Sequence, residues 1–328
     1  MKNLYVVVGM PRSGTSAITR GLKALGVDLG SRLTPADEDW NAKGFFEDTE
    51  IVYNINRSLL AKEPSTDAEM DVLKASALKL LKSRIANTDN WGFKDPRTSL
   101  LLTFWQPIFN ELNLNDHYVI ALRNPLASAH SYQKARGTDL EEGVYLWLLH
   151  LIPAIEMTQG KKRVLVSYDA LLENPRKQLT RMRTQLGIQL PEDANEINEY
   201  ANQFLDKKLG HYEFTQEDLK THPAAQIAPM AFDMYALLLR VASDEISLDS
   251  AEFAAEWQKV KAVFTATQPI YRYIDAMMER NKELERERRI IYKSIPWKMV
   301  YPLRVLDNFL RVCRRKIRRQ KKIMLETE

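Results

Sequence analysis

Residues 6–18, VVVGMPRSGTSAI, constrain this chain more than any other stretch. An apolar run enters a turn in which four residues separate Gly9 from Gly14, and from Gly14 a pattern of helical spacing runs to Leu25 and stops at Gly26. A strand feeding a helix through a glycine-rich turn points to a parallel sheet covered by helices. Such a turn also aims several backbone N–H groups at one spot, where the helix dipole reinforces them, so a phosphate or sulfate fits. In nucleotide triphosphatases a lysine precedes the loop's hydroxyl and reaches the β- and γ-phosphates. Thr15 stands in its place. The loop therefore predicts oxyanion binding through Pro11, Arg12, Ser13, Gly14, Thr15 and Ser16, and argues against metal-assisted γ-phosphoryl transfer. A plain strand-to-helix turn with Ser and Thr as caps is the simpler alternative.

The alternation continues through the first half of the chain. Short β-rich runs at 4–8, 91–94, 117–122 and 163–167 are separated by helical patterns at 99–112, 125–135 and 140–156. The segment 169–186 reads as two short helices parted at ENP, since the residue before a proline avoids the helical region. Beyond about Pro191 the strand signals vanish, and 251–289 reads as one or two long helices. The expected class is α/β: a P-loop-type parallel sheet flanked by helices, with a helical C-terminal extension. The expected division is a core at 1–210, a helical extension at 211–285 and a basic amphipathic tail at 286–328.

A second constellation is ALRNPLASAHSY, which places Arg123 at the end of a strand and Ser131 in the helix that follows. Ligands of open α/β sheets bind beyond the carboxyl ends of the strands, where an arginine can fork onto a phosphate and a serine can add a donor. An arginine packed on a neighbouring helix is the structural alternative.

Together, PRSGTS and RNPLASAHS resemble the 5′-phosphosulfate loop and the 3′-phosphate motif of sulfotransferases that use 3′-phosphoadenosine 5′-phosphosulfate (PAPS). The resemblance extends through NAKGFFEDTEIV, WGFKDPRTSLLL and VLVSYDALLENPRKQLTRMRTQLGI, over roughly residues 1–210. It implies that residues 11–16 hold the 5′-phosphate, with Arg12 where many members carry lysine. It implies that Arg123 and Ser131 grip the 3′-phosphate, and that PAPS serves as co-substrate with no metal. The basic-Lys-Gly motif that many animal members carry late in the chain has no counterpart here.

Sulfuryl transfer needs an in-line hydroxyl, a base beside it, and donors for the charge that develops. None of the five histidines follows the early motifs as a catalytic histidine of the cytosolic type would. Glu47, in NAKGFFED with Phe45 and Phe46 to exclude water, is the preferred base, as in branches of the family that use glutamate; Asp48 is its neighbouring alternative. The alternative reading is that Glu47 or Asp48 caps a helix beginning near Thr49. Lys94, at the end of a strand, is expected to contact the transferred group or the acceptor, with Asp95 and Arg97 organising the turn. His211 is a weaker site candidate.

The 45% hydrophobic content of the 328 residues supports a sizeable core, and the single cysteine, Cys313, excludes an internal disulfide framework and a thiolate zinc site. With no signal-peptide pattern and no run of eighteen apolar residues, a cytoplasmic location is expected. The net charge of +4 conceals an asymmetry. Fourteen Lys or Arg against Glu287 and Asp307 give residues 286–325 a charge of +12, leaving −8 for the rest. Because Trp297, Tyr301, Leu303, Leu306, Phe309 and Leu310 alternate with these cations, the segment reads as a peripheral anchor on the anionic inner face of the cell membrane. Nucleic acid is the less favoured partner, since no nucleic-acid-binding fold is evident. SIPWKMVYPLR resembles a Ser-x-x-Trp-Arg-x-x-x-Pro-Leu-Arg element of bacterial surface-polysaccharide enzymes, with Lys298 for arginine, which implies a carbohydrate acceptor. The competing functions are a non-catalytic sulfotransferase-like subunit tethered to the membrane, and an ATP-dependent P-loop kinase.

Overall fold

The computed structural model describes residues 1–37, 43–61, 66–190, 193–205, 214–226, 228–295 and 297. His211 and residues 298–325 of the tail lie outside that set. The chain divides into two units, Met1–Val263 and Phe264–Glu328.

The first unit opens with β1 (Asn3–Val8), the glycine turn and α1 (Thr15–Ala24). A π-helical turn (Ile51–Asn56) runs into α2 (Arg57–Ala61), followed by α3 (Asp67–Arg84), β2 (Asn90–Lys94), a 3₁₀ turn (Pro96–Leu100) and α4 (Leu102–Glu111). Next come β3 (Asn115–Leu122), α5 (Pro125–Arg136), α6 (Leu140–Glu156), β4 (Arg163–Ser167), α7 (Tyr168–Glu173) and α8 (Pro175–Leu186). Shorter helices α9 (Ala194–Glu199), α10 (Gln216–Thr221) and α11 (Pro223–Gln226) precede α12 (Met230–Ala242) and the 43-residue α13 (Ala251–Lys293).

Among the described residues the sheet has four parallel strands in the order β2-β1-β3-β4. Chain order reverses between β1 and β3, so the crevice beyond their carboxyl ends is the topological switch point where ligands of such sheets bind. Both sheet faces are covered, as parallel strands require. Tyr5, Val7, Val119, Ala121, Val164 and Val166 bury one face against Ile18 and Leu22 of α1 and Leu179, Met182 and Leu186 of α8. On the other face Phe93 packs against Trp105 and Phe109 of α4, with ring centroids 5.7 and 6.3 Å away.

The strand and helix expectations hold, with two differences. The pattern read as one helix over 99–112 is a 3₁₀ turn and then α4. Asp95 accepts the Arg97 N–H and starts the 3₁₀ turn, and the break falls at Leu101. Sequence reading also gave no place to α3, because its inner stripe is thin: only Ala77 and Leu81 are buried. The ENP break appears as expected, with Asn174 capping α8 through the Lys177 N–H.

Candidate active site

The glycine turn has the backbone of an anion cradle. Gly9 (φ 138°), Arg12 (φ 72°) and Gly14 (φ 82°) all adopt positive φ, and the Ser13 N–H closes the turn on the Met10 carbonyl at 3.2 Å. Helix α1 starts from Gly14, which has no side chain to offer, so Ser and Thr do not cap it. The orphan N–H groups of a first helical turn are what an anion satisfies. A side chain at Gly14 is excluded twice over: its φ is left-handed, and a Cβ would stand 2.1 Å from Cδ2 of Tyr168. Arg12 tolerates a left-handed backbone that disfavours a non-glycine residue by about 1–2 kcal/mol. A strained residue held by its surroundings is a pointer to function.

Three further elements close on this turn. Arg12 Nε donates to Ser131 Oγ on α5 at 3.0 Å, and one turn earlier Ser128 Oγ meets Ser13 Oγ at 3.2 Å. Arg123, beyond the end of β3, donates from Nη1 to the Arg12 carbonyl at 3.1 Å, and its guanidinium lies 4.9 Å above the ring of Tyr168, the first residue after β4. The Gly9 N–H donates to Ser99 Oγ at 2.8 Å, tying in the 3₁₀ turn after β2. Residues more than 110 positions apart thus form one cradle of fixed positive charge, hydroxyls and N–H groups. Its donor set suits phosphate oxyanions. Sequence reasoning missed Tyr168, Ser128 and Ser99, although Tyr168 sits where the carboxyl-end rule points.

Glu47 comes to the same edge. Ser16 Oγ donates to the Phe45 carbonyl at 3.2 Å, drawing residues 43–48 onto the loop. Lys94, at the end of β2 and buried, places Nζ 2.6 Å from Glu47 Oε1, and Arg97 Nη2 stands 4.0 Å from Oε2. Partners for the carboxylate are therefore cations. Phe46, expected to shield it, packs edge-on against Phe204 at 5.8 Å. Asp95 is occupied with structure: it holds Arg97 Nε at 2.8 Å and accepts Asn56 Nδ2 at 2.9 Å, while Asn56 Oδ1 takes the Trp105 indole N–H at 2.8 Å.

Asp48, the alternative base, is the helix cap. It accepts the N–H groups of Glu50 and Ile51 at 3.0 and 3.1 Å and pairs with Arg84 Nε at 2.6 Å. Breaking a buried pair of this kind costs about 3–5 kcal/mol. Asp48→Ala is accordingly expected to lower unfolding stability by about that much in urea melts, with turnover per folded molecule retained.

The four described histidines are engaged elsewhere. His117 stacks on Tyr5 at the amino ends of the strands, beside an open cleft of about 580 Å³. His150 bonds through Nδ1 to the Leu146 carbonyl within α6, and burial lowers its pKa. His130 stacks on Phe214 at 5.0 Å, its pKa lowered by burial and then by His222. His222 accepts the Ala224 N–H at 3.2 Å. Among the described residues there is no group of three or more His, Cys, Asp or Glu placed to hold a metal ion.

No protein-family model and no curated protein sequence matches the chain. Among solved structures it is similar to the sulfotransferase domain from the Synechococcus PCC 7002 olefin synthase, at 17% identity over 81% of this chain and 96% of that one, with a TM-score of 0.40. It is also similar to the sulfotransferase domain from the curacin biosynthetic pathway (14% identity, 81% and 98% covered, TM-score 0.38). A third likeness is to retinol dehydratase in complex with androsterone and inactive cofactor PAP (13%, 67% and 66%, TM-score 0.31).

Proposed function

We propose that the chain is a sulfotransferase that moves the sulfuryl group of PAPS to a hydroxyl of a carbohydrate, a bacterial surface glycan or lipid-linked saccharide. The observation that carries this reading is the meeting of Arg12, Ser131 and Arg123 in one cradle. A loop alone binds any oxyanion. A second guanidinium and a hydroxyl beside it add donors that a 3′-phosphate, which ATP and AMP lack, would use. Thr15 in the lysine position counts against the kinase reading, and the pairing of Glu47 with the buried Lys94 at the sheet's carboxyl edge counts against a non-catalytic subunit.

In this mechanism Glu47 accepts the proton of the acceptor hydroxyl as its oxygen bonds to sulfur. The bond from sulfur to the 5′-phosphate oxygen breaks, and that oxygen leaves with the electron pair on 3′-phosphoadenosine 5′-phosphate. Arg12 and the α1 N–H groups stabilise the charge gathering there, and Lys94 meets the charge on the sulfonate oxygens. None of these steps asks for a metal.

The test of acceptor class is transfer from PAPS labelled in the sulfonate to saccharides, phenols and lipid alcohols side by side. Label in the saccharide fraction, with equimolar 3′-phosphoadenosine 5′-phosphate released, is the expected result; label confined to phenols or lipid alcohols overturns the carbohydrate assignment.

The same proposal puts residues 286–325 on the inner face of the membrane. Ile290, Ile291, Tyr292 and Ile295 are exposed among cations, and Tyr292 stacks with Trp297 at 5.2 Å. No helix among the described residues is long and apolar enough to cross a membrane. A chain ending at Arg280 should fail to float with anionic vesicles that carry the full chain upward; equal flotation rejects the anchor.

A further inference from the structure

Arg97 stands beside the candidate base with only part of its guanidinium engaged. Its Nε donates to Asp95 Oδ1 at 2.8 Å and Oδ2 at 3.0 Å, and its backbone N–H donates to the same carboxylate. Asp95 is fully buried and is also held by Asn56, so the near side of the guanidinium is fixed. The far edge, Nη1 and Nη2, meets no hydrogen-bond acceptor among the described residues, and the side chain is 23% exposed. A cation fixed along one edge loses little freedom when a ligand takes the other. Glu47 faces that free edge. Lys94 Nζ occupies Oε1 at 2.6 Å, which leaves Oε2 to take a proton. Oε2 stands 4.0 Å from Arg97 Nη2, too far for a hydrogen bond between the two. One oxygen fits the gap. At about 2.8 Å from each group it sees them about 90° apart, a bend that a hydroxyl oxygen tolerates.

We propose that Arg97 binds the acceptor: Nη2 holds the attacking oxygen against Glu47 Oε2, and Nη1 takes the oxygen on the neighbouring carbon. The inference rests on the sulfotransferase reading above and narrows its substrate class to hydroxyls that have a vicinal oxygen, as in a saccharide diol, rather than isolated alcohols. The attacking hydroxyl donates its proton to Oε2 and accepts from Nη2 with one lone pair, which leaves the other aimed at sulfur. As the new oxygen–sulfur bond forms, the proton passes to Glu47 and the 5′-phosphate oxygen leaves with the electron pair of the bond that breaks. The two terminal amino groups of a guanidinium match two adjacent oxygens, as they do those of a carboxylate. They donate and never accept, so the neighbouring position must supply an oxygen. Orienting the hydroxyl in this way is the positioning that a bimolecular transfer needs.

The test uses the full chain, PAPS labelled in the sulfonate, and methyl glycosides of glucose, galactose and mannose, each beside its set of monodeoxy analogues. For a glycoside that takes label, the analogue lacking the oxygen next to the sulfated position should be sulfated with a kcat/KM about 10- to 150-fold lower, the worth of one hydrogen bond to a charged group. Arg97→Met should sulfate the glycoside and that analogue with nearly equal kcat/KM, while calorimetry shows 3′-phosphoadenosine 5′-phosphate bound as tightly as before. Arg97→Lys keeps a cation beside Asp95 but has no fork, so it should close most of the same gap and covers the case in which the methionine variant fails to fold. A preference that survives in both variants, with the two acceptors slowed equally, gives the fork to Glu47 or to the sulfonate and overturns the proposal. So does a full chain that sulfates glycoside and analogue alike. Label in no glycoside is a failure of the sulfotransferase reading itself, and this inference falls with it.

Discussion

Arg123→Ala should weaken binding of 3′-phosphoadenosine 5′-phosphate by about 30-fold to several thousandfold while leaving AMP binding nearly unchanged. The Arg123 side chain is almost fully buried and fixed from two sides, by the Arg12 carbonyl and the ring of Tyr168. A guanidinium held in place loses little freedom when a phosphate arrives, so its fork is available in full. Removing one partner of a buried charged contact costs about 2–5 kcal/mol, and each 1.4 kcal/mol is about tenfold in affinity. The variant should also melt earlier, since the contact over Tyr168 contributes about 0.5–2 kcal/mol; titration calorimetry on folded protein keeps the two effects apart. Arg123→Lys should fall between, a single ammonium replacing the fork. Equal loss toward AMP would make Arg123 a packing residue.

Glu47→Gln should reduce turnover by about 10²- to 10⁴-fold, the usual contribution of a positioned base, with nucleotide affinity intact. The amide keeps the shape of the carboxylate but cannot take the hydroxyl proton. It also leaves the Lys94 ammonium, 2.6 Å away and buried, without its anion, so stability should drop by several kcal/mol, as for a broken buried pair. The double variant Glu47→Gln, Lys94→Met should recover stability but not turnover. Turnover lost in Glu47→Gln at temperatures where that single variant is fully folded separates a base from an ion pair serving the fold alone, because Lys94 is still present. Turnover retained in Glu47→Gln would move the base elsewhere.

How much of this was legible in the sequence follows from the range of the interactions. The strands were readable because β-branched apolar runs end at residues that must leave the sheet, and a parallel sheet buries them on both faces. The cradle's loop was readable because Gly9 and Gly14 occupy backbone conformations that few other residues reach. The approach of Arg123 and Ser131 to the loop was readable from their places just beyond β3 and in the helix that follows it. Helix α3 was not, since two buried residues in eighteen leave almost no periodic signal. Nor was the setting of Glu47. Phe45 and Phe46 are its neighbours in sequence, yet its partner is Lys94, forty-seven residues on, joined only by the register of the sheet and the pull of Ser16 on the Phe45 carbonyl. Asp48 and Glu47 look interchangeable as letters, and the turn of one residue sends one to Arg84 and the other to Lys94.

In the proposed function the cradle recognises a nucleotide by its 3′-phosphate. Thermal unfolding of the full chain with 3′-phosphoadenosine 5′-phosphate, AMP or Mg-ATP at equal concentration tests it most directly, because a ligand that binds only the native state raises the melting temperature by mass action. A clear shift with the 3′-phosphorylated nucleotide and little with the other two is the expected result. An equal shift with AMP, or a larger one with Mg-ATP, would contradict it.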